Sequence, residues 1–334
     1  MLVEVKQLYK YFYSRGRKGG LVKAVDGVSF NIDRGECFGL VGESGCGKST
    51  LGRAVLRLTD VTAGEVYFQG INLLSLNSRE LKRFRKKMQI IFQDPDSSLD
   101  PRFSVYKLLA EPLRVQGESK AKIGARVSEL MEMVNLGKEL LCRYPHELSG
   151  GQRQRIGIAR AMALNPEFLV ADEPAASLDL SVQAQILRLM KTLQKDYNLG
   201  ILFISHQLKI IRIMTQRVAV MYLGKFVEVG RTNEIFSRPL HPYTKALLAA
   251  EPDPKREPKK RKLLLKGEVP DPSFLPTGCR FHPRCPYFEP QCAEVEPVLV
   301  DAGGGHWVAC HRCSVDAFAT GSCNDRMAEG VALS

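Results

Sequence analysis

Gly42-Glu43-Ser44-Gly45-Cys46-Gly47-Lys48-Ser49-Thr50 follows the apolar run Cys37-Phe-Gly-Leu-Val41 and precedes the helical pattern Leu51-Gly-Arg-Ala-Val-Leu-Arg-Leu58. A glycine-rich segment thus joins a strand to a helix, the setting a phosphate-binding loop requires. Glycines let successive backbone N–H groups converge on phosphate oxygens at a helix N-terminus. Lys48 supplies positive charge to the β- and γ-phosphates, and the Ser49 hydroxyl can ligate Mg²⁺. A glycine-rich turn that carries Lys-Ser by chance would match the spacing without the strand-to-helix context.

Downstream, Phe168-Leu-Val-Ala-Asp172-Glu173 reads as an apolar strand ending in two carboxylates. Alone, such a pair is an ordinary strand end. Beside a phosphate loop, Asp172 is placed to hold magnesium through water and Glu173 to polarise an attacking water as general base.

Between the two motifs lies Leu148-Ser149-Gly150-Gly151-Gln152, and with it the sequence resembles the ATP-binding cassette ATPases over about residues 2 to 250. Gln93 in Ile90-Ile-Phe-Gln-Asp-Pro95, the Ala176-Ser-Leu-Asp179 turn and His206 in Leu202-Phe-Ile-Ser-His-Gln-Leu208 extend the resemblance. It implies that Ser149, Gly150, Gly151 and Gln152 close on the γ-phosphate held by a second subunit, with a helix N-terminus aimed at it. It also implies that Gln93 senses the metal and attacking water, that His206 bonds the γ-phosphate and positions Glu173, and that Asp179 links the two sites. An aromatic ring stacks on adenine in this family. Tyr11, Phe12 and Tyr13 are the candidates, Phe12 the first choice and Tyr11 the second, with plain core packing of an aromatic strand residue as the alternative. The sequence departs from the common pattern at Ala175-Ala-Ser-Leu-Asp179 and at Gln207, where Asp is usual; neither change removes a catalytic group.

Phe92-Gln-Asp-Pro-Asp-Ser-Ser-Leu-Asp-Pro-Arg102, Ser181-Val-Gln-Ala-Gln-Ile-Leu187 and Arg238-Pro-Leu-His-Pro-Tyr-Thr-Lys-Ala-Leu247 are similar to the ATPase subunits of dipeptide, oligopeptide and nickel importers. The resemblance implies a second ATPase subunit, homologous or identical, two permease subunits and an extracytoplasmic substrate-binding protein. In that family the segment from Gln93 to about Leu109 docks the permease's coupling helix, so Phe103 and Val105 are candidates to face a partner or to pack within the helical subdomain. Pro242, Tyr243, Leu247 and Leu248 are expected to cover the sheet.

The chain has 334 residues and a net charge of +12, with 44% hydrophobic and 25% charged residues. That composition is globular, and the length suggests about two domains. No apolar run approaches the ~18 residues of a membrane span, and the N-terminus lacks the apolar core of a secretory signal. The expected location is the cytoplasmic face of the membrane, peripherally bound. A soluble cassette protein acting on nucleic acid or ribosomes is the alternative that the charge suggests. Such proteins carry two cassettes or a coiled-coil insertion, and no nucleic-acid partner is expected. The basic residues of 255–266 and Lys82, Arg83, Arg85, Lys86 and Lys87 suit a solvated face, or anionic lipid beside a permease.

Short β-rich runs up to residue 70, helical spacing from about residue 80 to 141, and alternating strands and helices beyond predict an α/β phosphate-loop NTPase fold of the cassette type. It would have a mixed sheet core, an antiparallel β subdomain and a helical subdomain at about 94–160. The cassette is placed at 1–250, a basic linker at 251–270 and an irregular Cys-rich extension at 271–334. Of nine cysteines, Cys37, Cys46 and Cys142 are scattered and six fall between Cys279 and Cys323. Cys279, Cys285, Cys292 and Cys310 are separated by five, six and seventeen residues. Four thiolates suit an iron–sulfur cluster or zinc, but the gaps are wider than those of common zinc sites. The corresponding segment of similar importer ATPases implies a [4Fe–4S] cluster, with Zn²⁺ or unligated thiols as alternatives and Cys313 as a substitute ligand.

Overall fold

The computed structural model describes residues 1–13, 20–94, 98–250 and 267–313. The core of the expected basic linker, 251–266, and the tail with Cys323 lie outside the described residues. Two sheets organise the chain. Strands β1 (Val3–Tyr13), β2 (Leu21–Ile32), β4 (Ala63–Phe68) and β5 (Ile71–Asn72) form an antiparallel sheet in the order β2-β1-β4-β5. The eight-stranded sheet adds β3 (Cys37–Val41), β6 (Met88–Ile91), β7 (Phe168–Asp172), β8 (Gly200–Ile204), β9 (Arg217–Tyr222), β10 (Lys225–Arg231), β11 (Val300–Asp301) and β12 (Trp307–Val308). Its order is β11-β12-β10-β9-β3-β8-β7-β6.

The five strands from β9 to β6 in that order run parallel. Every residue of β3, β7 and β8 is buried. Their unbroken apolar sequences are what a parallel strand covered on both faces needs. Helix α1 (Lys48–Val55) begins at the end of the phosphate loop and packs between the two sheets with Leu51, Ala54 and Val55.

Helices α3 (Val105–Val115), α4 (Lys120–Met133) and α5 (Gly150–Met162) form the helical subdomain, following α2 (Ser78–Arg85) in the chain. The apolar positions expected from spacing, Ile123, Val127, Leu130 and Met131, are the buried face of α4. Val105 is fully buried at the start of α3, which selects packing within the subdomain over a partner-facing position; Phe103 is partly buried against the same core. The remaining helices are α6 (Leu180–Asp196), α7 (Leu208–Met214), α8 (Thr232–Ser237), α9 (Pro242–Ala250) and α10 (Gln291–Glu294).

The Cys-rich segment is more regular than its sequence suggests. β12 pairs antiparallel with β10, matching Val308 to Glu228 and Trp307 to Val229, and β11 pairs with β12. Phe281, 1% exposed, lies against Tyr222 and Tyr243 with ring centroids 5.4 Å from each. Fully buried Glu228 accepts hydrogen bonds from the backbone N–H groups of Leu240 and His241, and its carboxylate lies 2.7 Å from His306 Nε2. The segment is therefore fastened to the large sheet by backbone, aromatic and buried polar contacts together.

Candidate nucleotide site

Adjacent parallel strands end on one cleft. Gln93 follows β6, Glu173 follows β7 and His206 follows β8, and these strands are neighbours in the sheet. Ligands of α/β sheets characteristically bind at such carboxyl ends. A cleft of about 580 Å³ is lined there by Ser44 to Thr50, by Gln93, Glu173 and His206, and on its far side by Phe12, Leu223 and Gly224.

Two positions of the loop admit only glycine. At Gly47, with φ of +107°, a Cβ would fall 1.9 Å from the Ala24 carbonyl oxygen; at Gly42 it would fall 2.2 Å from that of Met221. The loop is thereby pressed against β2 and β9. Lys48 Nζ donates to the carbonyl oxygens of Gly42 and Glu43, both at 2.9 Å, which folds the ammonium back along the loop. Burial pushes the Cys46 thiol up, so that it stays neutral beside Lys48.

At the foot of the loop Ser49 Oγ donates to Asp172 Oδ1 at 2.8 Å. Burial raises the Asp172 pKa, and the Ser49 hydrogen bond opposes that rise. These oxygens are hard donors of the kind Mg²⁺ selects. Glu173 leaves the strand in a left-handed backbone conformation, φ 49°. Such a conformation costs of order 1–3 kcal/mol in a residue with a Cβ. It sets the carboxylate 2.9 Å from His206 Nδ1, with Gln93 Nε2 donating to the same oxygen at 3.2 Å.

The three aromatic candidates differ in their contacts. Tyr11 donates its hydroxyl to Asp26 and is held there, Tyr13 is 86% exposed and does not line the cleft, and Phe12 does line it. Lys10 Nζ lies 4.6 Å from the Phe12 ring centroid.

Ser149, Gly150, Gly151, Gln152 and Asp179 do not line this cleft. Ser149 caps α5 in a reciprocal capping box with Gln152, and Asp179 caps α6 by accepting from the backbone N–H groups of Ser181 and Val182. The two helix starts pack together so closely that a Cβ on Gly151 would lie 2.5 Å from Val182 Cγ1. Two positive helix ends therefore lie side by side, away from the chain's own phosphate loop.

Cys279, Cys285, Cys292 and Cys310 line a single small cavity with His241, His282 and His311. Burial pushes the Cys279 and Cys285 thiols up to about 11, while a hydrogen bond from Cys313 lowers Cys310 to about 7. Among the described residues, however, no group of three or more His, Cys, Asp or Glu is set to hold a metal ion. The four expected ligands thus converge on one cavity, and their geometry adds no support for iron–sulfur or zinc there.

Sequence reasoning missed the contacts that fasten the loop from behind. Tyr243 Oη accepts from the backbone N–H of Glu43 at 2.9 Å, and Arg284 grips the Glu43 carboxylate. No spacing rule relates residues 200 and 241 positions apart. A larger cavity of about 750 Å³ lies between β1, β2 and the C-terminal strands. Its charged groups already form ion pairs, Arg217 with Glu36, Lys225 with Glu296 and Lys6 with Glu4.

Residues 25–176 match the family model described as ABC transporter, and residues 227–292 match that of the oligopeptide/dipeptide transporter C-terminal region. The chain is 51% identical to "Putative oligopeptide transport ATP-binding protein YkfD" of Bacillus subtilis (strain 168), over 93% of this chain and 95% of that one. It is 46% identical to "Oligopeptide transport ATP-binding protein AppF" of the same organism, over 93% and 97% of the two chains. Among solved structures, the dimeric post-hydrolysis state of the ATP-binding cassette MJ0796 bound to ADP and Pi superposes with a TM-score of 0.63 at 29% identity, over 69% of this chain and 99% of that one. The two family models and these relatives agree, and the chain belongs to the ATP-binding-cassette transporter ATPases that carry the oligopeptide/dipeptide transporter C-terminal region.

Proposed function

We propose that this chain is the ATP-hydrolysing subunit that energises a peptide importer of the dipeptide and oligopeptide class. The observation that carries the reading is the meeting of Gln93, Glu173 and His206 at the open side of the phosphate loop. Peptide as cargo rests on the two B. subtilis relatives.

In this reading ATP lies with its base against Phe12 and its phosphates over the loop. Backbone N–H groups of residues 44–50 and the Lys48 ammonium neutralise the phosphate charge. Magnesium would be held by Ser49, by Gln93 and through water by Asp172, and would supply positive charge to offset that developing on the phosphates. Glu173 takes a proton from the attacking water. His206 fixes the Glu173 carboxylate on one side and contacts the γ-phosphate on the other, and Gln93 orients the water. The paired starts of α5 and α6, with Ser149 and Asp179, complete the site of a second cassette subunit, so ATP holds the two chains together and hydrolysis releases them. Two permease subunits follow that closure, and an extracytoplasmic binding protein delivers cargo to them.

No described helix is long and apolar enough to cross a membrane, which fits a subunit attached to its permease at the cytoplasmic face. The shallow groove beside Gln93, lined by Gln89, Phe92, Ser98, Pro112, Gln154 and Arg160, suits that contact. Buried Gln154 Nε2 there lacks a hydrogen-bond partner among the described residues. Co-reconstitution with the permease pair and binding protein in vesicles tests the reading. ATP-dependent uptake of a labelled dipeptide, abolished by Lys48→Ala, supports it; uptake of nickel alone refutes the peptide assignment.

We further propose that the four convergent thiols hold a metal cross-link, a [4Fe–4S] cluster ahead of zinc. Soft donors select both, and a loop-rich segment gains rigidity from such a cross-link. About four iron and four sulfide per anaerobically purified chain is the expected content. Zinc in their place would select the alternative, and neither would reject the site.

A further inference from the structure

Two arginines of the Cys-rich segment bury their guanidinium groups against the frame of the nucleotide cleft. The Arg284 side chain is 6% exposed. It donates through Nη1 to Glu43 Oε2 at 2.7 Å and through Nη2 to Glu43 Oε1 at 3.1 Å, and its guanidinium carbon lies 5.9 Å from the centroid of the Tyr222 ring. This fork fixes a carboxylate in both position and rotation.

Glu43 is itself the second residue of the phosphate loop. Its N–H donates to Tyr243 Oη, its carbonyl oxygen accepts from Lys48 Nζ, and its carboxylate meets Arg284. Arg284 sits in a short helical turn, His282–Arg284, immediately before Cys285. The loop that carries the thiols therefore also carries the arm on the phosphate loop. At the other end of the cleft, Arg280 donates to Asp26 and to the Leu223 carbonyl oxygen. Asp26 in turn accepts from Tyr11, the neighbour of Phe12, while Leu223 lines the cleft.

We propose that Arg284 is a positioning residue of the nucleotide site: by holding Glu43 it preorganises the loop and Lys48, and so makes the Cys-rich segment set the affinity for ATP. The proposal rests on the reading of the loop as an ATP site and goes beyond it. It assigns to the C-terminal segment a direct hold on nucleotide binding, with Arg280 supporting the adenine end. A loop already shaped for phosphate loses less conformational freedom on binding, so removing the arm weakens binding before it slows chemistry.

The test uses the full chain and a fluorescent N-methylanthraniloyl ATP with magnesium. Arg284→Ala is expected to weaken binding about tenfold, within the usual range of coupling between sites. The Michaelis constant for ATP should rise in parallel while kcat stays within about twofold, a split that general loss of structure would not give. Arg284→Lys should recover part of the affinity, and Glu43→Gln combined with Arg284→Ala should bind no more weakly than Arg284→Ala alone. Unchanged affinity in folded Arg284→Ala, or losses that add in the double variant, would overturn the proposal. If Arg284→Ala does not fold, Glu43→Gln carries the test, with the same loss expected and unchanged affinity overturning it. Wild-type chain that binds no nucleotide would instead refute the ATP reading itself, with Lys48→Ala as the non-binding reference.

Discussion

Glu173 combines three features that an ordinary strand end lacks: a left-handed backbone, a histidine at 2.9 Å and a glutamine amide on the same oxygen. The strain turns the carboxylate off the strand axis toward the cleft, where a base is needed. Its place beside the phosphate loop was legible in the sequence because the strand, the paired carboxylates and the loop are each contiguous. Asp26 shows the opposite case. Burial works against its charge, yet the Tyr11 hydroxyl and the Arg280 guanidinium hold its carboxyl below the ordinary 3.8. Nothing in the strand segment Val25-Asp-Gly-Val28 announces that network, since its arginine lies 254 positions away. A carboxyl with a depressed folded pKa stabilises fully above its unfolded pKa and loses that contribution as pH falls through the folded one. Wild-type chain should therefore exceed Asp26→Asn in stability by a constant margin above about pH 5, and the margin should close as pH drops below 3.8. Urea unfolding midpoints across this range check it; a margin that widens in acid would contradict the assignment.

Among the elements, the central strands were the most legible. Cys37–Val41, Phe168–Asp172 and Gly200–Ile204 are buried throughout, and unbroken apolar runs between turns have few other homes. Helix α4 declared itself by the spacing of Ile123, Val127, Leu130 and Met131. β11 and β12 did not, because two residues each carry no period, and their pairing depends on an edge offered by β10 rather than on their own sequence. Glu228 explains why that edge holds. It is fully buried, receives two backbone N–H groups, and faces His306 of the C-terminal segment. Removing one partner of a buried polar pair costs about 3–5 kcal/mol. Glu228→Ala should lose stability of that order and expose the C-terminal segment to protease before the rest of the chain. Cleavage no faster than in wild type would show that the edge is held by other contacts.

At the scale of the whole molecule, the proposed function gives the chain half of each of two nucleotide sites. The phosphate loop, Gln93, Glu173 and His206 share one cleft, whereas Ser149 and Asp179 stand together outside it. On that proposal a monomer so arranged binds ATP but surrounds it only when a second cassette brings its own paired helix starts. The sequence conveyed both halves as motifs; their separation within one chain is a property of the fold. The Cys-rich segment, read from sequence as an appendage, instead braces the cleft from behind through Arg284 and Arg280. These parts make one claim together: ATP closes two chains, and Glu173 ends the closed state by activating water. Glu173→Gln keeps the shape of the side chain and removes the base. With magnesium and ATP this variant, run on a sizing column beside wild type, should elute as a stable dimer and hydrolyse ATP about 10²- to 10⁴-fold more slowly, the usual worth of a general base. Turnover at the wild-type rate with no ATP-dependent dimer would contradict the account.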